Sequence, residues 1–240
     1  MHRFDFLPVF RTTMGLLEVL RPAKEVPTTI WSAEDPLTVK PRTKTLVILI
    51  IGLWVFGTGD AILIAAGIGN TPWTVLAEGI AINIDWSVGQ TTFLVSVLVL
   101  LLWIPLKEKP GIGTILNAII IAAAIEVMVP KLPTPGNHYL AIAQALLGIV
   151  LVGIGSGIYL TANLGPGPRD GWMTGLQRVS GIPIARVRGA IEITVLAIGW
   201  LVLGGTFGLG TIMFAVLIGP IVAICLNLAG RFGGPGEVHG

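Results

Sequence analysis

The chain has 240 residues, 53% of them hydrophobic and 12% charged, with a formal net charge of +2 and a mean hydropathy of +0.86. Soluble domains carry about 25% charged residues, so this composition excludes a water-surrounded globule and indicates a chain dissolved in lipid. A single cysteine, Cys225, excludes an intrachain disulfide, and His2, His138 and His239 are too scattered for a metal centre.

Residues 1–44 read as a basic cytoplasmic tail interrupted by prolines and carrying Arg3, Arg11, Arg21, Lys24, Lys40, Arg42 and Lys44. Phe4, Leu7, Phe10, Met14, Leu17 and Leu20 fall on one face of a surface helix. A loosely ordered tail fits the same residues. The tail has neither the sustained apolar core nor the cleavage site of a signal peptide. It also lacks the aromatic interleaving that suits nucleic acid, so no nucleic-acid partner is expected.

Six apolar runs then reach the roughly 20 residues that cross a bilayer: 45–68, 88–106, 112–130, 139–164, 187–205 and 209–229. The expected fold is all-α, a polytopic membrane protein of six transmembrane helices with the lipid bilayer as its principal partner. Segments 72–82 and 168–179 are too short to span. They carry Glu78 in one case and Gln177 and Arg178 in the other, as interfacial or re-entrant helices do.

Basic residues in short loops collect on the cytoplasmic side. With the N-terminus inside, the 69–87 loop is outside and holds only Glu78 and Asp85. Lys107 and Lys109 fall inside, Lys131 outside, Arg169, Arg178 and Arg186 inside, and Arg231 inside, with Arg188 at the membrane edge. Counting either short segment alone as a span would reverse this pattern downstream. Both termini are therefore expected in the cytoplasm.

Sliding the chain along itself by 96 residues, the distance from Gly69 to Gly165, aligns Gly57 with Gly153, Gly59 with Gly155 and Ile62 with Ile158. It also aligns Ala66 with Ala162, Pro72 with Pro168 and Gly79 with Gly175. With one residue inserted, Gly111-Ile-Gly-Thr-Ile115 falls on Gly208-Leu-Gly-Thr-Ile212. Composition bias rarely keeps such a register, so the chain is read as a duplication. Its parts are 45–130, a first three-helix repeat, 139–230, a second, and 231–240, a short cytoplasmic tail. Three spans per repeat is an odd number, so the copies insert in opposite orientations, the inverted-repeat design of many secondary transporters.

The most irregular stretch is Gly165-Pro-Gly-Pro-Arg-Asp-Gly171. Its prolines end the preceding helix, and Pro168 suits the first turn of the next, with Asp170 near its positive end. Gly69-Asn-Thr-Pro72 is a degraded copy. The run from Gly153 to Leu176, GIGSGIYLTANLGPGPRDGWMTGL, resembles the signature of YczE/YyaS/YitT-type bacterial integral membrane proteins, and the similarity covers roughly residues 45–230. That resemblance implies a bacterial inner-membrane protein; it supplies the class and not the chemistry.

Arg169 and Asp170, flanked by Gly167 and Gly171, are the leading substrate-binding candidates. Free N–H groups at a helix start beside a guanidinium form a site for a small anion or carboxylate. Against this, Asp170 would repel an anion, and a rigid turn in which Asp170 caps its helix and pairs with Arg169 accounts for the same residues. Asp60 lies deep in the first span, opposite Ser156 in the repeat. It either carries a coupling proton or cation or fixes packing through a partner. Asn163 and Asn117 suit hydrogen bonds between helices, and Asn163 joins the candidate site through its place beside the break. Glu126 sits at the outer end of the third span, and Glu192 pairs with Arg188 at i,i+4. Gly153/Gly157 and Gly171/Gly175 have GxxxG spacing, which permits close helix packing and leaves a homodimer open. Trp54, Trp73, Trp86, Trp103, Trp172 and Trp200 lie near expected helix ends, as interfacial anchors do.

No nucleophile–base set, P-loop or HExxH motif is present, so neither an enzyme nor a cofactor is expected. The leading functional reading is a transporter of a small anion or other small solute with a central site at the broken helices. A non-transporting accessory or regulatory membrane protein is the alternative.

The charge pattern makes a direct prediction. In a background with Cys225 replaced by alanine, Asp85→Cys and Lys131→Cys should react with an impermeant thiol reagent in intact cells. Lys109→Cys and Arg231→Cys should react only after the membrane is opened.

Overall fold

A computed structural model describes residues 26–233. It is built of helices: α1 (Thr43–Ala66), α2 (Pro72–Ile84), α3 (Val88–Leu101), the short α4 (Trp103–Leu106), α5 (Ile112–Met128), α6 (His138–Thr161), α7 (Pro168–Ser180), α8 (Ile184–Ala197) and α9 (Leu209–Gly230). A 3-10 turn, Val129–Lys131, extends α5, and a π-turn, Ile198–Val202, extends α8. The face of Phe4 to Leu20 expected in the tail lies outside the described residues.

Five helical segments have the length and apolarity to cross a membrane: Thr43–Ala66, Val88–Leu106, Ile112–Lys131, His138–Thr161 and Leu209–Gly230. The chain is a membrane protein. The expected span at 187–205 takes the form of α8 and its π-turn and carries Arg186, Arg188 and Glu192. These charges set it apart from the other five.

Local chemistry places the helix ends. Thr71 caps α2, its Oγ1 accepting from Thr74 N at 3.3 Å, with Pro72 at the first helical position. Ser87 and Gln90 form a reciprocal capping box at α3. Asn137 caps α6 through Leu140 N at 2.9 Å.

The centre of the molecule is the antiparallel crossing of α1 and α6. A Cβ on Gly59 would stand 2.6 Å from Val152 N and 2.7 Å from Gly148 O. A Cβ on Gly155 would stand 2.5 Å from Phe56 N and 2.7 Å from Gly52 O. Only hydrogen fits at either place, and backbone meets backbone, as small residues permit inside membranes. The offset of 96 that pairs Gly59 with Gly155 also pairs Gly52 with Gly148 and Phe56 with Val152. Each contact therefore has a counterpart with the two helices exchanged.

The two breaks are closed in the same crossed manner. Gly69 and Gly165 have φ of 121° and 103°, a region that glycine enters readily and other residues do not. Gly210 N donates to Ile68 O at 2.8 Å, and Gly113 N donates to Leu164 O at 2.7 Å. Thr114 Oγ1 adds a bond to Pro166 O at 2.7 Å, and Asn70 N donates to Thr206 O at 3.2 Å. The break before α2 is thus held by the entry to α9, and the break before α7 by the entry to α5.

Residues 29–33 dock on the end of α6. Ala33 N donates to Ala162 O at 3.0 Å, and Trp31 Nε1 donates to Thr161 Oγ1 at 3.1 Å. Ile30 N reaches Phe232 O at 3.1 Å, beyond the end of α9. Both GxxxG pairs are used inside the chain. Gly153 and Gly157 face Ile221 and Cys225 of α9, while Gly171 and Gly175 face Trp103 and Glu108.

Gly59→Val should be among the most damaging changes in the chain. The added atoms meet backbone that cannot rotate away, and overpacking of this kind costs about 1–3 kcal/mol or more. Thermal unfolding in detergent should show the loss, while valine at Gly189, where nothing lies within 4 Å of the added Cβ, should melt close to the parent.

Candidate functional site

A cavity of about 450 Å³ lies beside the α1–α6 crossing, and every helix except α4 contributes to its wall. The start of α7 enters it. Gly167, Arg169 and Asp170 line it together with Trp73 of α2, Thr92 and Ser96 of α3, and Asn117 of α5. Arg188 and Glu192 of α8 also face it. The α9 side is wholly apolar: Phe214, Ala215, Ile218, Gly219 and Val222.

Arg169 is half-buried, with its guanidinium carbon 5.1 Å from the centre of the Trp73 ring. Such a cation–π contact is worth about 2 kcal/mol where water is excluded. Trp73 is itself braced edge-on by Trp172, with ring centres 6.3 Å apart. Among the described residues the Arg169 guanidinium makes no hydrogen bond and no ion pair. The expected pairing with Asp170 is absent, and so is an Asp170 cap, because α7 starts at Gly167 without a side-chain cap. Asp170 instead accepts from Tyr159 Oη at 3.1 Å. The carboxylate is turned toward α6, which leaves the amides of the first turn of α7 uncapped.

Two further polar groups on the cavity wall have no partner. Thr92 Oγ1 and Trp73 Nε1 are buried without a hydrogen bond, their residues 1% and 6% exposed. Unmade bonds at buried polar atoms are expensive. The donor set open to the cavity is the Arg169 guanidinium, which suits an anion or a carboxylate.

Glu192 is held by Arg188, Nε to Oε1 at 3.0 Å, the i,i+4 pair expected from the sequence. Asp60 is buried in α1 at 1% exposure, and its Oδ2 accepts from Thr74 Oγ1 at 2.9 Å. Asp60 is not on the wall itself; its partner Thr74 is the neighbour of Trp73, whose ring carries Arg169. Gly171 is buried against the indole of Trp103, whose Nε1 donates to Pro168 O at 2.9 Å. This contact fixes the entry of α7.

Asn163 lies elsewhere. It is exposed, and its Nδ2 donates to Ala33 O at 2.7 Å, so it ties the N-terminal segment to the end of α6. Asn117 faces the cavity. Glu126 accepts from Ser87 Oγ near the start of α3.

Trp73 and Trp103 are corrections to the sequence expectation. Both are buried, at 6% and 2% exposure, and serve the site and the break instead of the interface. The signal for Trp73 was present in the duplication, because 73 and 169 are related by the same offset of 96. The polar pair Thr92 and Ser96, four residues apart in an apolar span, was a second readable sign.

The model of a family of unknown function, DUF6198, matches residues 43–227. The chain belongs to this family. It is 42% identical over 206 residues to an uncharacterized protein of Haemophilus influenzae, covering 86% of this chain and 93% of that one. It is 31% identical over 183 residues to the uncharacterized membrane protein YczE of Bacillus subtilis, covering 72% and 85% respectively. A third relative, YyaS of Bacillus subtilis, is 25% identical over 185 residues, covering 75% and 92%. No solved structure matches. The resemblance read from GPGPRDG is thus borne out, and DUF6198 membership fixes the class of protein and leaves its chemistry to the cavity.

Trp103→Phe leaves Pro168 O without its donor and also removes the outer indole edge that lies against Gly171. A loss of about 1–3 kcal/mol in stability is expected, read as a lowered melting temperature. An unchanged melting temperature would mean that the indole N–H does not hold the break.

Proposed function

We propose that this chain is a transporter of a small anion, with the anion held at Arg169 in the central cavity. The observation that carries the reading is a guanidinium that faces a built cavity and spends none of its donors on the protein. The uncapped start of α7 supports it.

The proposed architecture is six spans in two inverted repeats, each with a re-entrant helix, α2 and α7. Its support is the exchange of contacts across the α1–α6 crossing and the crossed closure of the two breaks. The approach of the chain ends supports it further. Ile30 is bonded to Phe232, so the entry to α1 and the exit from α9 share one face. Five crossings would separate them; a sixth, by α8 and its π-turn, brings the chain back. In transporters of inverted-repeat design the substrate lies between the halves, where helices are broken, which is where Arg169 stands. We take the shared face of the termini as cytoplasmic in a bacterial inner membrane, on the distribution of Lys and Arg. No chemical step on the solute is invoked.

A second reading, a non-transporting accessory protein, draws on the bonds that make the break a rigid turn: Trp103 to Pro168 and Tyr159 to Asp170. The two readings differ in what a ligand does. A bound ligand raises stability by RT ln(1 + [L]/Kd), about 2.7 kcal/mol at one hundred times Kd. A thermal-shift screen of the purified protein against nitrate, sulfate, phosphate and short carboxylates should find a stabilising anion. Arg169→Lys keeps the charge but loses the planar fork, and should weaken that anion about tenfold or more, since a hydrogen bond to a charged group is worth about 1.5–3 kcal/mol. Arg169→Ala should abolish binding. Asp170→Asn should preserve it and melt near the parent, because the amide oxygen still accepts from Tyr159. An anion-independent melting temperature would favour the accessory reading.

A further inference from the structure

Three carboxylates stand around Arg169, and two of them have strong donors. Asp170 has Tyr159, and Glu192 has Arg188. Asp60 has one hydroxyl, Thr74, on Oδ2, while Oδ1 is buried without any partner. Ionised, it is a buried charge with no ion pair, and the cation linked to it is Arg169, held over Trp73 beside its partner Thr74. Such groups within spans are costly and mark functional positions.

Packing alone does not require an acid at this place. The corresponding position in α6 is Ser156, whose hydroxyl is satisfied by Val152 O of its own helix at 2.7 Å. The acid is found in one half only.

An anion on Arg169 would claim the cation linked to Asp60. Arg169 and Arg188 face Asp60, Asp170 and Glu192 in and behind the cavity, with the phenol of Tyr159 bonded to Asp170. Arg188 is engaged with Glu192, so Arg169 alone serves both Asp60 and the ligand. A monoanion arriving by itself adds a negative charge near a carboxylate that is already buried. A monoanion arriving with one proton leaves the charge of the region unchanged.

We propose that the site takes up its anion together with a proton, the anion on Arg169 and the proton on the free Oδ1 of Asp60. This deepens the transporter reading and rests on it: the carboxylate becomes a neutral carboxylic acid, still accepting from Thr74 through Oδ2, and releases the proton when the anion leaves. Linkage makes the effect reciprocal, so the anion binds more tightly when Asp60 is protonated, by about 5–150-fold in the usual range of coupling between sites.

The test uses the purified full chain with nitrate, which does not titrate, and acetate, which is ionised above pH 6. Apparent affinity is read by thermal shift between pH 6 and pH 8 in the parent, Asp60→Asn and Arg169→Ala. The parent should lose affinity as pH rises, by up to tenfold per pH unit for one proton. Asp60→Asn should bind with little dependence on pH, and Arg169→Ala should not bind. A pH dye in weakly buffered solution should report about one proton taken up per anion by the parent, a measurement that needs no variant. Asp60→Ser, which copies Ser156, replaces Asp60→Asn if the latter does not fold.

Binding that is flat with pH in the parent, or that keeps its slope in Asp60→Asn, overturns the proton coupling and leaves the anion site standing. Absence of binding by either anion at every pH, or full binding by Arg169→Ala, overturns the anion site and the coupling with it.

Discussion

A helix that ends inside a protein leaves amides and carbonyls that need partners. This chain stops twice, before Pro72 and before Pro168, and the rest of its structure follows from how those ends are closed. Ile68 O and Leu164 O each accept a glycine N–H from the other part of the chain, from Gly210 and Gly113. Glycine is needed on both sides of each contact. At Gly69 and Gly165 it permits the backbone angles, and at Gly113 and Gly210 it lets the two backbones approach. Neither part of the chain can close its own break, so neither is complete without the other.

The crossing of α1 and α6 serves the same end. Gly52, Gly59, Gly148 and Gly155 allow these helices to touch along their backbones, with Phe56, Val152 and Ser156 of the two helices on the wall of the cavity beside them. The cavity forms there, with the start of α7 directed into it. A helix start needs acceptors for its first amides, and α7 has no side chain capping it. The same feature that needs acceptors is therefore the one that can receive a ligand.

Charge near the cavity is tightly managed. Asp170 is turned aside by Tyr159 and Glu192 is engaged by Arg188, so two carboxylates that would have silenced Arg169 do not bond to it. Arg169 rests instead on the Trp73 face, which offers partial compensation and accepts none of its N–H donors. Asp60, bonded through Oδ2 to Thr74, keeps a buried Oδ1 without a partner.

Sequence alone determined that this is a helical membrane chain and where its helices break, and it showed glycines and prolines recurring at an offset of 96. Those properties are local or periodic: apolar runs of bilayer length, prolines that remove donors, and glycines recurring at a fixed offset. The first and fourth spans were legible as apolar runs that share Gly57 and Gly59 with Gly153 and Gly155 at the offset of 96, and Arg169 stood out beside a helix break. Tertiary structure alone decided what each polar group faces. Asn163 and Gly167 flank the same break, yet one reaches Ala33 at the surface and the other lines the cavity. Asp170 bonds to Tyr159, eleven residues earlier in the chain, and not to its neighbour Arg169. Trp73 and Trp103 sit near helix ends like interfacial anchors, but one carries Arg169 and the other holds Pro168. Sequence spacing fixes where a residue lies along its helix; the direction it points is set by how the helices cross, and here that depends on backbone contacts between residues far apart in the chain.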